Sequence, residues 1–189
     1  LERARTAQAA MVSEFSLTSR ITKDVMDAKK YWTIRRESYN LLRKHNARKI
    51  SAPFIEDIVV HPDQLPEFMP KLDAILAHYP DFVYTIAGHA GDANFHIIPL
   101  VDVSTQHHRD QIIQMSDEVF KLVKEYAGSM TAEHNDGLVR GTFLEYMFGK
   151  QVFDLFKRTK QIFDPLNIFN PHKKTEADLE FYAEHIRHS

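Results

Sequence analysis

Apolar side chains recur with two different periods along this chain, and the places where the period changes mark out its elements. Between residues 21 and 45, Ala28, Trp32, Tyr39 and Leu42 fall at intervals that suit 3.6 residues per turn, which predicts a long helix with Arg35 in the same stripe. Residues 2–15, rich in Ala and Arg, also read as helix. Ile55 to Val60 is an apolar run stopped by His61-Pro62 and reads as a strand. Pro66 opens a helix to about His78, with Phe68, Leu72, Ile75, Leu76 and Tyr79 on its core face and Pro80 closing it. Two short strands follow, at 82–88 and 94–99. Residues 105–127 give a second long helix that turns Ile112, Ile113, Val119, Phe120, Leu122 and Val123 inward, with Gly128 as its C-cap. A short strand at 129–132 comes next. After Gly137 the pattern is helical again through Phe143-Leu144, Tyr146-Met147 and Val152 to Phe163, an aromatic density that reads as core, and residues 174–189 read as a polar helical tail.

Strand, helix, strand, strand, helix, strand is an α+β order. Its simplest packing is an antiparallel sheet with helices on one face, ferredoxin-like, followed here by C-terminal helices. A chain of 189 residues is within the range of one domain and hides roughly 70% of its unfolded surface. No repeat or Pro/Gly/Ser linker divides it.

Composition removes several classes of function. With 24 basic and 26 acidic side chains the formal charge is −2, so no field recruits nucleic acid or anionic lipid. There is no cysteine, hence no disulfide framework, thiolate nucleophile or cysteine-ligated cluster in these residues, and a cytoplasmic location is expected, compatible with peripheral membrane association. No apolar run reaches the 18 or so residues of a membrane span. The start at Leu1 without Met suggests a fragment. The six glycines make neither GxGxxG nor GxxxxGK, so no dinucleotide phosphate cradle is expected in this stretch.

The densest chemistry lies in Gly88-His89-Ala90-Gly91-Asp92-Ala93-Asn94-Phe95-His96. On an unbroken strand two residues seven apart stand roughly 23 Å from each other, and on a helix roughly 10 Å, so neither lets both histidines touch one ion. A fold-back at Gly91, Asp92 and Asn94 makes them near cross-strand neighbours, with Cβ atoms about 5 Å apart. That suits two ligands on one metal. Ala132-Glu133-His134-Asn135-Asp136-Gly137 adds a carboxylate and a third imidazole side by side.

GHAGDANFH, then AEHNDG, then Phe163-Asp164-Pro165-Leu166-Asn167-Ile168-Phe169-Asn170-Pro171 resembles, in order and spacing, the C-terminal domain of FAD-linked oxidases. That family includes D-lactate and D-2-hydroxyglutarate dehydrogenases and the glycolate oxidase flavin subunit. The resemblance covers about residues 20–175, with residues 1–173 read as the partial C-terminal (cap) domain. It implies a divalent metal on His89, His96 and Glu133, zinc in the first place with Mn²⁺ or Fe²⁺ as alternatives, and His134 as the base that deprotonates the α-hydroxyl of a small 2-hydroxy acid. It implies hydride transfer to FAD held by a domain or subunit outside this chain, and Asn170 approaching the flavin. Arg35, expected on the buried face of its helix, must meet an anion or a carbonyl there, and the pattern alone leaves open whether that is a ligand, a structural carboxylate or an escape to the surface; it falls in Trp32-Thr33-Ile34-Arg35, where the resemblance implies that it holds the substrate carboxylate. The isolated chain is then expected to be inactive and to expose a surface through which it forms a homo-oligomer.

Three positions depart from the family pattern. Ala93 stands where relatives have Gly, so a positive φ there costs on the order of 1 kcal/mol. Ile98 and Tyr39 replace an Asn and a Thr of some relatives, which bears on whether a second substrate carboxylate is accepted. The competing readings are a stand-alone His₂/Glu metal hydrolase, against which the lack of an HExxH helix counts, and a non-catalytic interaction module. The electron acceptor is not legible in these residues.

Overall fold

Residues 1–45 and 48–187 are described by the computed structural model, and the chain divides into two units, Leu1–Asn46 and Ala47–Ser189. The first unit holds α1 (Glu2–Phe15) and α2 (Val25–His45). Asp24 starts α2: its carboxylate accepts the Met26 amide at 2.9 Å while its carbonyl takes the Ala28 N–H at 2.9 Å. The helix falls where the periodicity predicts it, but its stripe is not a core. Trp32 is 59% exposed, Ile34 and Arg35 are exposed, and α1 buries no residue. The side chains of Tyr39 and Leu42 lie outside the described residues. A periodic apolar face shows that a helix has something to cover, without saying what covers it.

In the second unit β1 (Ile50–Ser51) and β2 (Ile58–Val59) lie along one side of β4 (Asn94–Val101), and β3 (Val83–His89) lies along the other, all antiparallel. Between β2 and β3 runs α3 (Leu65–Ala77), and after β4 runs α4 (Gln106–Glu125), capped by Thr105, whose hydroxyl accepts the His108 amide at 3.2 Å. Ser129 then bridges Val59 antiparallel. The order Ser129, β2, β4, β3 is the ferredoxin-like one, with its last strand reduced to a single bridge. The expected strand at 129–132 stops there because the next amides turn to a side chain. The helix end also differs: Ala127, with φ +50°, takes the left-handed position expected of Gly128.

Pleat alternation divides β4 into two faces. Phe95, Ile97 and Val101 enter one core with Phe68, Leu72 and Leu76 of α3 and Met115, Val119, Phe120 and Val123 of α4. Each such side chain, fully buried, contributes about 1.5–3 kcal/mol. The other face carries Asn94, His96 and Ile98.

The chain continues through α5 (Leu144–Phe148), α6 (Lys150–Phe163) and α7 (Leu179–Glu184). The aromatic stretch is core only in part: Leu144 and Phe153 are buried, whereas Phe148, Leu155, Ile162 and Phe163 are exposed. The segment expected as a polar tail is docked, with Tyr182 and Ile186 in the core. No helix among the described residues is long and apolar enough to cross a membrane.

Candidate active site

The hairpin β3–β4 builds the first half of the site. Its register pairs His89 with Asn94 and Ala87 with His96, so the two histidines are diagonal neighbours on one face, not direct opposites. Their ring centroids are 5.6 Å apart. A short 3₁₀ turn, Ala90–Asp92, closes the hairpin, and Ala93 follows with φ +52°, the left-handed conformation for which Gly is the usual residue. Gly88 is required where it stands. Its φ is +144°, and a Cβ there would lie 2.2 Å from the carbonyl oxygen of Asn94.

The second half comes from the loop after Ser129. The side chain of Asp57 is fully buried and collects three successive amides: Ala132 at 2.9 Å, Glu133 at 2.9 Å and His134 at 2.8 Å, all to Oδ2. Asn94 donates to its Oδ1 at 3.1 Å and to the Ile58 carbonyl at 3.2 Å, so Asn94 stabilises the loop, as its buried place in the hairpin suggests. Amides curled around an anion form a nest. Burial alone raises the Asp57 pKa, but the hydrogen bonds from His134, Glu133, Asn94 and Ala132 outweigh it, and the carboxyl is held below its ordinary value. Asp57 itself has φ +73°, a conformation that Asp and Asn tolerate better than other side chains.

The two halves meet at Glu133. Its Oε1 lies 3.0 Å from His96 Nε2, 3.4 Å from His89 Nε2 and 3.5 Å from His134 Nε2. Donor atoms bound at 2.0–2.1 Å to one tetrahedral ion stand about 3.3 Å apart, so the three contacts of Glu133 have the spacing of a metal's coordination sphere and the N/O chemistry that zinc accepts; His96 and His134 lie close to each other as well as to Glu133, whereas His89 is not part of that closer group. Asp57 also lies near, its carboxylate within 4.8 Å of the ligand atoms of His96, Glu133 and His134. Its lone pairs are taken by the nest, so we assign it to the loop and not to a metal. The side chains of His89, Glu133 and His134 are about half exposed, which leaves the cluster open on one side.

Of the residues singled out from the sequence, the structure brings together His89, His96, Glu133 and His134. Arg35 belongs to the first unit, its guanidinium 6.0 Å from the ring of Trp32 and exposed, which corrects its expected place on a buried face. Asn170, with φ +49°, lines a cavity of about 690 Å³ together with Thr131, Asn135, Phe163 and Phe169, a lining to which none of the four clustered residues belongs. Ile98 faces Thr85 across the hairpin on the His96 side.

Glu56, Asp57 and Arg140 were not singled out from the sequence. Glu56 Oε1 sits 2.9 Å from His96 Nδ1 and 2.5 Å from His134 Nδ1. Arg140, buried, donates to the Glu56 carbonyl at 2.6 Å and also to the Asn135 carbonyl. The signal was available: two adjacent carboxylates inside the apolar run Pro53 to Val60 cannot be buried without partners.

The chain matches the family model for the C-terminal domain of FAD linked oxidases over residues 1–174, and it belongs to that family. It is 34% identical over 137 residues to the D-2-hydroxyglutarate dehydrogenase of Stutzerimonas stutzeri, which covers 70% of this chain and 30% of that protein. It is 30% identical over 150 residues to the D-2-hydroxyglutarate dehydrogenase of Pantoea ananatis, covering 79% of this chain and 14% of that one. Glycolate oxidase subunit GlcD of Bacillus subtilis is 31% identical over 132 residues, 70% of this chain and 28% of that subunit. The chain thus spans less than a third of the length of these relatives.

Proposed function

We propose that this domain is the substrate- and metal-binding half of a flavin-dependent dehydrogenase that oxidises a D-2-hydroxy acid to the 2-keto acid. The observation that carries the reading is the convergence of three imidazole Nε2 atoms on one oxygen of Glu133, at 3.0–3.5 Å. His89, His96 and Glu133 would hold a divalent cation, zinc by the donor set with Mn²⁺ or Fe²⁺ also accommodated, and a cation there acidifies a hydroxyl that it coordinates. His134 is the remaining imidazole beside that point and takes the hydroxyl proton, an exchange to which histidine is suited near neutral pH. Arg35 offers a bidentate guanidinium to the substrate carboxylate. FAD, held by a domain or subunit outside these residues, supplies the two-electron oxidation. Asn170 borders it, and the exposed Phe163, Leu166 and Phe169 meet the part of the protein that binds it. Without that part the same surface favours self-association.

The test uses the full-length protein. Anaerobic mixing with D-lactate, D-2-hydroxyglutarate and glycolate should bleach flavin absorbance with at least one of them, and the isolated domain should be colourless and inactive. Absence of flavin from the full-length protein, or zinc-dependent ester hydrolysis by the domain alone, overturns the reading.

A further inference from the structure

We infer that Glu56 is a positioning residue that fixes the tautomer and ring orientation of His96 and His134 together, so that a single carboxylate aims both imidazoles at Glu133. Its significance for catalysis rests on the metal and base roles proposed above. Its contact with His134 does not. Glu56 Oε1 is 2.9 Å from His96 Nδ1 and 2.5 Å from His134 Nδ1. A carboxylate oxygen only accepts, so Nδ1 of each ring donates to Glu56 Oε1. On the Nε2 side Glu133 Oε1 is a second carboxylate oxygen, 3.5 Å from His134 Nε2 but 3.0 Å from His96 Nε2. The much shorter Glu56 contact therefore sets the His134 hydrogen on Nδ1 by itself, while His96 would carry its single hydrogen there once a cation takes its Nε2. The rings stack nearly parallel, with centroids 4.8 Å apart and planes 13° apart. Because Glu56 stands on the Nδ1 edge of both rings, it is not a further metal ligand.

The carboxylate is itself held. Arg140 Nη1 lies 3.5 Å from Glu56 Oε2 and donates to the Glu56 carbonyl at 2.6 Å, while its Nη2 donates to the carbonyl of Asn135, one residue beyond His134. Both partners are largely buried, with side chains 8% and 12% exposed, so each charge needs the other. The next residue, Asp57, grips the backbone of the same loop. Glu56-Asp57 therefore orders the Glu133-His134 pair twice, by the ring and by the amide. Outer partners of this kind orient ligands and raise their basicity, and their loss weakens metal binding about 10–100-fold.

The test is tautomer assignment by long-range proton–nitrogen spectra of the ¹⁵N-histidine-labelled protein, metal-free and zinc-loaded, at a pH where the imidazoles are neutral, with zinc titration in parallel. The wild type should show Nδ1–H on His134 without zinc, and on both His96 and His134 with zinc bound. Glu56→Gln, whose amide oxygen still accepts, should keep those tautomers with a smaller loss of zinc affinity. Glu56→Leu should release metal-free His134 to mixed tautomers and weaken zinc about 10–100-fold. Nε2–H on His134 in the metal-free wild type, or an unchanged His134 tautomer in a folded Glu56→Leu protein, overturns the inference. If Glu56→Leu does not fold, the wild-type and Glu56→Gln spectra decide it. A wild type that binds no zinc but shows Nδ1–H on His134 contradicts the metal reading and supports this one.

Discussion

Asp57 accepts the backbone amide of His134 at 2.8 Å across 77 positions of sequence. With the Glu133 and Ala132 amides on the same oxygen, this contact gives the loop that carries Glu133 and His134 its shape without any strand to belong to. Asp57→Asn isolates the effect, because Asn tolerates the left-handed backbone at this position while losing the charge and half of the acceptor capacity. The expected loss is about 1.5–3 kcal/mol, the range for a hydrogen bond to a charged group, read as a lower urea midpoint at unchanged slope.

The same carboxylate makes stability depend on pH in a stated direction. Its folded pKa is depressed, so its contribution is fully present above the unfolded value of about 3.9 and is lost as pH falls through the folded value. The stability difference between wild type and Asp57→Asn should therefore be constant near neutrality and shrink in strong acid. A difference that instead grows on acidification would mean that Asp57 is not an anion in the nest.

Two hairpin glycines should respond very differently to the same change. A Cβ at Gly88 would meet the Asn94 carbonyl oxygen at 2.2 Å, whereas at Gly91 nothing lies within 4 Å. Gly88→Ala should cost at least about 3 kcal/mol or prevent folding, in the range of strained, overpacked sites, and Gly91→Ala should stay within about 0.5 kcal/mol. Thermal denaturation of the pair checks it, and similar midpoints for both would show that the hairpin turns differently.

In the full-length enzyme His134→Ala should keep the metal and slow flavin reduction about 10²–10⁴-fold, the usual contribution of a positioned base. Arg35→Lys should act mostly on KM, because a point ammonium cannot reproduce a bidentate pair. Since Arg35 is exposed, its replacement should leave the melting temperature nearly unchanged. Stopped-flow reduction separates the two: a normal rate in His134→Ala removes the base, and normal kinetics with a large drop in melting temperature in Arg35→Lys makes Arg35 structural.

What was legible in the sequence is what local chemistry decides. Phe68, Leu72 and Leu76, and Val119, Phe120 and Val123, lie on the faces that helical periodicity assigns to them, and the fold-back at Gly91 to Asn94 follows from turn residues between two apolar runs. The convergence of His89, His96, Glu133 and His134 was legible because each sits in a short motif. Glu56 and Asp57 carried only the signal that buried acids need partners; which partners was not legible, because they lie 37 to 84 positions away and a strand reading of Ile55 to Val60 takes no account of where its acids point. The α2 stripe shows the converse limit. Its period was legible, but exposure of Trp32 and Arg35 is a property of what stands opposite, which periodicity does not encode.

The central claim is that His89, His96 and Glu133 form one divalent-metal site, and zinc stoichiometry after equilibrium dialysis tests it most directly. The wild type should retain about one zinc per chain, and the folded His89→Ala/His96→Ala and Glu133→Ala proteins should retain almost none. Equal zinc in the wild type and in these variants, or none in any of them, would contradict the claim.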